Sequence, residues 1–231
     1  WTLKVLVGFI GDELIAFVPT YVQRAKHWPF LTTMHFLGQG EAEDIELATE
    51  YIDVLIEPHD KSIALPYIQD WFKLEQVDLL CWDAVLADSA VNEIFLNIGR
   101  TKKTEASRFI INGQNWSENN LSKNTRKRIN KNNNKFKKEL ETYWPIMISF
   151  HQKRWQAEGK KGAFSSTEFF DFHKSILNSN QQITPLFSVL LVNNKAAAIH
   201  YYLAIGDTLH FYQSGWDSTA MTGFSPGLSL H

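Results

Sequence analysis

A histidine, an arginine and a tryptophan in the segment 145–158 could together supply a general base and a binding surface. His151 and Trp155 are four residues apart, so a helix would place them on one face with Arg154 beside them. An imidazole titrates near neutral pH and suits a general base, whereas a guanidinium can hold an anionic group. Structural roles are the alternative, because His151 could lie at a core edge and Arg154 could serve packing and an ion pair.

A tyrosine and two further histidines in the C-terminal part of the chain are additional candidates. Tyr212 could donate a proton to a leaving group, although a tyrosine in an aromatic strand commonly belongs to the core. His200 and His210 fall on predicted strands and are weaker candidates. Cys81 is the single cysteine, and its apolar neighbours predict a buried, inert thiol. One thiol allows no internal disulfide.

Several classes of site have no signature in this sequence. Walker loops, HExxH, GxSxG and Cys/His clusters are missing, which argues against kinases, hydrolases and metal centres. The net charge of −2 gives the chain no general affinity for polyanions. Since no apolar run approaches the ~20 residues of a membrane span and no signal peptide opens the chain, we expect a cytoplasmic protein without a metal.

The candidate residues of the C-terminal part need a sheet to position them. Asn193-Asn194 and Gly206-Asp207 are turn-forming pairs. They separate apolar runs that predict three antiparallel strands, over 186–192, 196–205 and 208–216. Further on, Ser225-Pro226-Gly227 predicts a helix start, with serine as N-cap and proline in the first turn. A strand, a glycine loop and a helix N-terminus can hold a pyrophosphate on backbone N–H groups; a turn that merely ends the hairpin is the alternative.

Five sequence pieces, in this order and at this spacing, resemble the acyl-CoA-binding core of the GNAT superfamily. They are LSKNTRKRI (121–129), FHQKRW (150–155), the hairpin with Ala197-Ala198, FYQSGWD (211–217) and SPG (225–227). The resemblance is strongest to the CelD/BcsL-like acetyltransferases, which are relatives of the FemAB aminoacyl transferases. In that family more residues separate the basic segment from the His-x-x-Arg-Trp segment.

The resemblance implies a role for each candidate residue. His151 would be the general base and Tyr212 the proton donor to the leaving thiolate, while Arg154 and Trp155 would bind the acceptor. The backbone of one strand would pair with the pantetheine arm, and the following loop would take the pyrophosphate. The implied cofactor-binding residues are Gln213, Ser214, Gly215, Ser225, Pro226, Gly227 and Leu228.

The predicted function is transfer of an acyl group from acetyl-CoA, or another acyl-CoA, to the amine or hydroxyl of a small molecule. The resemblance suggests a sugar or cell-envelope precursor as acceptor. Two alternatives remain open: a FemAB-like aminoacyl transferase that uses charged tRNA, and a non-catalytic binding module of a polysaccharide system. The oligomeric state is not indicated by the sequence.

The predicted fold class is mixed α/β, as tandem GNAT-like halves with mostly antiparallel central sheets flanked by helices. A shift of 182 residues places the turn region 10–16 over 192–198. We therefore predict an N-terminal half, 1–115, that holds no cofactor, and a C-terminal half, 116–231, that binds acyl-CoA and ends before the GNAT core is complete. Two unrelated hairpins are the alternative. The polar stretch 112–121 is the predicted boundary.

Other elements follow from periodicity. A helix over 62–74 is predicted to bury Ile63, Tyr67, Trp71 and Leu74, and a second helix, 88–98, has an apolar stripe. Strands are predicted over 77–82 and 104–111, and helices over 145–158 and 167–177. Between 121 and 140 lie eight Lys/Arg and one Glu. This basic segment is predicted as a helix, either solvated and bridging the halves, or facing phosphates, or binding nucleic acid.

Overall fold

The computed structural model describes residues 1–24, 30–42, 45–107, 110, 135–137, 140–178 and 182–220. These residues form a mixed α/β protein. The chain divides into two compact units, the first comprising Trp1–Ala42 and Glu46–Arg108, the second Phe109–His231 with Glu43–Ile45. The predicted boundary stretch 112–121 lies outside the described residues.

The first unit is built on a five-stranded sheet. Its strands are β1 (Thr2–Ile10), β2 (Glu13–Arg24), β3 (Thr32–Phe36), β4 (Leu55–Ile56) and β5 (Leu79–Leu80). The order is β1-β2-β3-β5, with β4 on β2. The first three strands are antiparallel neighbours, whereas β5 runs parallel to β3. The Gly11-Asp12 pair, with apolar runs over 3–10 and 14–22 on either side, predicts a hairpin, and β1 and β2 confirm it. The strand predicted over 77–82 is limited to β5.

The described part of this unit also contains two α-helices, α1 (Lys61–Leu74) and α2 (Ala90–Ile98). The apolar stripe of α2 is confirmed, since Val91 and Ile94 are fully buried. The stripe predicted for α1 is wrong. Its buried residues are Ala64, Leu65, Ile68 and Phe72, whereas Ile63, Tyr67 and Leu74 are exposed. Because apolar residues occur on both sides of α1, periodicity did not identify the face that packs on the sheet.

The strand predicted over 104–111 is also wrong in its described part. Residues 104–107 and 110 have no regular secondary structure. The alternating pattern there belongs to a segment that no described strand pairs with, and alternation alone does not form a strand.

The second unit contains a four-stranded antiparallel sheet in the order β6-β7-β8-β9. Its strands are β6 (Lys135–Lys137), β7 (Ile183–Val192), β8 (Lys195–Ile205) and β9 (Thr208–Trp216). The three long strands confirm the predicted meander. Asn193 and Asn194 form the first turn with φ of 50° and 62°, in the left-handed region that asparagine tolerates. Strand β6 corrects the basic-helix prediction at 135–137; residues 121–134 lie outside the described residues.

Two helices lie on one face of this sheet, α3 (Leu140–Ala157) and α4 (Thr167–Asn178). Helix α3 begins five residues before the predicted start and therefore contains Pro145. Its buried side chains, Tyr143, Trp144, Met147 and His151, recur at helical spacing. The predicted helix over 167–177 is confirmed by α4, whose first turn is capped by Ser166, because the serine Oγ accepts the N–H of Phe169 at 3.2 Å.

Candidate functional site

A β-bulge in β9 determines which side chains of this strand face the helices. Tyr201 of β8 lies opposite Gln213, and Tyr202 lies opposite Phe211, so Tyr212 is an extra residue in β9. In a regular strand Tyr212 would point away from the face of Gln213. The bulge instead turns Tyr212 to the helix-covered face, where its ring meets His173 of α4 at a centroid distance of 4.8 Å.

Gly215 brings α3 into direct contact with β9. A Cβ at this position would lie 2.6 Å from the Met147 carbonyl oxygen and 3.0 Å from the His151 nitrogen. These atoms belong to the helix backbone and cannot rotate away, so only glycine fits. Gly215 therefore fixes the spacing between α3 and the strand that carries Tyr212.

His173 lies between two tyrosines that come from neighbouring strands. Its Nε2 is 3.1 Å from the hydroxyl oxygen of Tyr212, and its Nδ1 is 3.5 Å from that of Tyr201. The imidazole is fully buried. Burial lowers the pKa of His173 to about 4, so the ring is neutral at physiological pH. Burial also raises the pKa of Tyr201, which keeps its hydroxyl protonated.

Aromatic side chains surround this group. Trp144 of α3 has its ring 5.5 Å from that of Tyr201, and Phe169 lies 4.6 Å from His173. The buried indole Nε1 of Trp144 has no hydrogen-bond partner among the described residues. The tyrosine–histidine group is therefore a polar cluster inside an apolar layer. The hydrogen bonds within the cluster satisfy its buried polar atoms.

His151 is buried and engaged with its neighbours on α3. Its Nε2 accepts a hydrogen bond from the Trp155 indole N–H at 2.9 Å, and its Nδ1 lies 3.2 Å from Gln152 Oε1. An indole N–H can only donate, so Nε2 is the acceptor and Nδ1 carries the proton. Burial lowers the pKa of His151. The contacts thus assign His151 first to holding Trp155; its role as general base stays a prediction.

Arg154 and Trp155 lie at the C-terminal end of α3, near Trp216 of β9. The Arg154 guanidinium carbon is 4.3 Å from the Trp216 ring centroid and 5.5 Å from that of Trp155. Lys160 lies 4.9 Å from the Trp155 ring on the same side of the unit. Arg154 also approaches Glu158, with Nε 3.7 Å from the carboxylate. The result is a half-exposed cationic and aromatic surface that suits an anionic or polyhydroxylated ligand.

The predicted cofactor-binding residues fall into two groups. Gln213, Ser214 and Gly215 lie on β9, the last strand of the described sheet, with Gln213 and Ser214 half-buried. The remaining residues, Ser225, Pro226, Gly227 and Leu228, lie outside the described residues. Ser214 lies opposite His200, whose Nδ1 is 3.2 Å from the Tyr202 hydroxyl on the face away from α3.

The structure brings together residues that sequence reasoning did not connect. His173, Tyr201 and Trp144 were not among the candidates, although His173 follows Phe169 by four residues on a predicted helix. That spacing was the available signal. The bulge at Tyr212, which completes the cluster, had no signal in the sequence because it depends on the pairing with β8.

Other kinds of site are not indicated by the described residues. In those ranges no three His, Cys, Asp or Glu side chains converge as metal ligands would. No described helix combines the length and apolar character that crossing a membrane requires. Cys81 is exposed, which corrects its predicted burial. A shallow depression of about 590 Å³, lined by Trp1, Val22 and Arg24 among others, belongs to the first unit and contains none of the candidate residues.

Comparison with known proteins supports the resemblance for the second unit. No curated protein matches the chain at a significant level. Residues 123–231, which include α3, α4 and the β7–β9 meander, match the family model described as "Acetyltransferase (GNAT) domain", and it is this part of the chain that is similar to the GNAT acetyltransferases.

Proposed function

We propose that the chain is an acyl-CoA-dependent N- or O-acyltransferase that transfers an acetyl group to the amine or hydroxyl of a small molecule. The observation that carries this proposal is the bulged strand β9 inside the region that matches the GNAT acetyltransferase domain. A bulge interrupts the regular ladder and re-aims side chains, as sites for ligands often require. Acetyl-CoA is the proposed acyl donor, and a sugar or cell-envelope precursor is the proposed acceptor.

We assign each proposed role to residues in the second unit. The thioester would lie along Gln213, Ser214 and Gly215, so that Tyr212 could protonate the leaving thiolate. The pyrophosphate is assigned to 225–228, which lie outside the described residues. The acceptor would bind at the surface of Arg154 and Trp155. The hydrogen bond from the Trp155 indole to His151 holds the orientation of that ring. The chain then acts mainly by orienting two substrates and supplying one proton.

The domain organisation proposed with this function is a tandem of related halves, 1–115 and 116–231. Two hairpins support it. In the first, Gly8 and Phe9 pair with Ala16 and Leu14, which makes Ile15 the extra residue. In the second, Leu190 and Leu191 pair with Ala198 and Ala196, which makes Ala197 extra. A shift of 182 residues superposes Ile15 on Ala197, so both hairpins bulge at equivalent positions.

The first half is proposed to hold no cofactor, and Gln39 supports this. Ligands of α/β sheets commonly bind beyond the carboxyl ends of parallel strands, which here are β3 and β5. The buried Gln39 side chain joins the segments after these strands: its Nε2 donates to the Asp83 carbonyl at 2.8 Å, and its Oε1 accepts the Asp83 N–H at 3.1 Å. These two hydrogen bonds tie together the segments between which such a ligand would bind.

Calorimetric titration with acetyl-CoA tests the proposed function. We expect saturable binding by the chain and by a Gly99→Asp control, which adds the same charge where a Cβ would meet nothing within 4 Å. Gly227→Asp should weaken binding at least ~10-fold, because a carboxylate would face the pyrophosphate. Absence of saturable binding by the unaltered chain would contradict the acyltransferase proposal and favour the non-catalytic binding module.

The basic segment favours one alternative, a FemAB-like aminoacyl transferase that uses charged tRNA. Eight Lys/Arg and one Glu between 121 and 140 could contact a phosphate backbone. RNA binding would then weaken steeply with salt, roughly in proportion to the number of phosphates contacted. Salt-dependent RNA binding without acetyl-CoA binding would select this alternative.

A further inference from the structure

The two hydroxyls beside His173 are not equivalent. Tyr201 is fully buried, and in the described part of the chain His173 is its one hydrogen-bond partner. Tyr212 is half-buried on the bulge of β9. The Tyr201 hydroxyl therefore donates its hydrogen bond to His173 Nδ1. If it only accepted a hydrogen bond, its buried O–H would have no acceptor.

The tautomer of His173 follows from this donation. An Nδ1 that accepts from Tyr201 has no proton, so the proton of the neutral ring must be on Nε2. Nε2 is the atom that lies 3.1 Å from the Tyr212 oxygen. The N–H of His173 therefore donates to Tyr212, and the hydrogen bonds run in one direction from Tyr201 through His173 to Tyr212.

We propose that His173 is a positioning residue for acyl transfer, in which its Nε2–H donates to the Tyr212 oxygen and so directs the Tyr212 O–H towards the leaving sulfur. This inference rests on the proposed acyltransferase function. A hydroxyl that accepts on one side has its proton directed to the other, and the accepted hydrogen bond stabilises the phenolate that forms when the proton leaves.

Acyl transfer from the thioester to the acceptor involves no oxidation or reduction. The acceptor amine or hydroxyl attacks the thioester carbonyl, and the carbon–sulfur bond breaks. The sulfur takes the proton of Tyr212, and the phenolate keeps the hydrogen bond from His173. The proton that the acceptor loses passes to solvent, from which Tyr212 is reprotonated. His173 stays neutral throughout, in agreement with its burial and its low pKa of about 4.

The first test needs no ligand. In the ¹⁵N-labelled chain at pH 7, long-range imidazole NMR correlations should show His173 with its proton on Nε2. In Tyr201→Phe the constraint on Nδ1 disappears, and the population of the other tautomer should rise. A proton on Nδ1 in the unaltered chain would overturn the proposal whatever the activity.

The second test follows thiol release from acetyl-CoA with hydroxylamine as the acceptor probe. For His173→Leu we expect kcat to fall about 10²-fold with KM for acetyl-CoA within about 2-fold, because the residue acts on proton transfer and not on binding. His173→Gln places an amide donor near the position of Nε2 and should recover about 10-fold. Variants are compared after their unfolding transitions confirm that they are folded.

A double-variant cycle separates positioning from a general structural effect. Tyr212→Phe should lose as much kcat as His173→Leu, and the double variant should lose no more than either alone. Additive losses, or a His173→Leu variant with unchanged kcat, would overturn the role of His173 alone. If the unaltered chain neither binds acetyl-CoA nor releases thiol, the proposed function fails and this role fails with it.

Discussion

Gly215 has no side chain, and this allows the backbone of α3 to pack directly against β9. Gly215→Ala would put a Cβ against the backbone of α3, and we expect a loss of about 1–3 kcal/mol in the free energy of unfolding, as for other overpacked positions. Gly99→Ala is the matched control, because its Cβ would meet nothing within 4 Å and its φ of 171° is open to any residue. Urea denaturation measures both; equal stability of the two variants would contradict the close approach.

His173 predicts how the second unit responds to acid. An unfolded histidine titrates near 6.5, whereas burial holds the pKa of His173 at about 4. Between these values the unfolded chain binds the extra proton, so the free energy of unfolding should fall as pH falls from about 6.5 to 4. The full difference corresponds to about 3 kcal/mol. Burial lowers the pKa of His151 as well, which acts in the same direction.

The pH profile can be assigned to His173 by substitution. In His173→Gln the slope between pH 6.5 and 4 should become shallower, as measured by denaturant unfolding at each pH. A slope that survives in His173→Gln would assign the acid sensitivity to other groups.

Helix α2 illustrates stabilisation at the scale of an element. The Asp53 carboxylate accepts the N–H groups of Ala90 and Val91 at 3.0 and 2.9 Å, and the Ser89 side chain accepts that of Asn92. These donors would otherwise end unsatisfied at the helix N-terminus.

Removal of this cap should destabilise the first unit. We expect Asp53→Ala to lower its free energy of unfolding by about 1–2 kcal/mol, because two backbone donors lose a negatively charged acceptor. Asp70→Ala, which breaks an exposed pair with Lys73 on α1, should change it by less than about 1 kcal/mol. Both are measured by urea denaturation, and similar losses in the two variants would contradict the capping role.

The elements that were predicted well are those determined by residues close together in the sequence. The 193–194 turn and the alternation on either side determine the β7–β8 hairpin within a few residues, and the same holds for β1–β2. The buried face of α1 and the bulge at Tyr212 depend on partners far along the chain, and neither was predicted. The candidate site was anticipated in part for the same reason: Tyr212 was identified, but its partner His173 was not.

At the scale of the whole molecule, the proposed tandem assigns acyl-CoA to one unit. Saturating acetyl-CoA should then slow amide hydrogen exchange in the β9 region of the second unit, since a ligand that binds only the folded state stabilises what it contacts. Exchange in β1–β3 of the first unit should stay unchanged. Mass spectrometry of peptic fragments measures both, and protection confined to the first unit would contradict the assignment.

The bulge also has a consequence for how this strand can be compared and shortened. Nine residues of β9, Thr208–Trp216, lie opposite only eight positions of β8. Tyr212 is thus supernumerary: its deletion would leave every other residue of β9 opposite its present neighbour, whereas deletion of Phe211 would move Tyr212 into that place. A relative with an unbulged strand aligns with this chain only through a one-residue gap at Tyr212. An alignment without the gap would pair equivalent residues on one side of Tyr212 and be displaced by one residue on the other side.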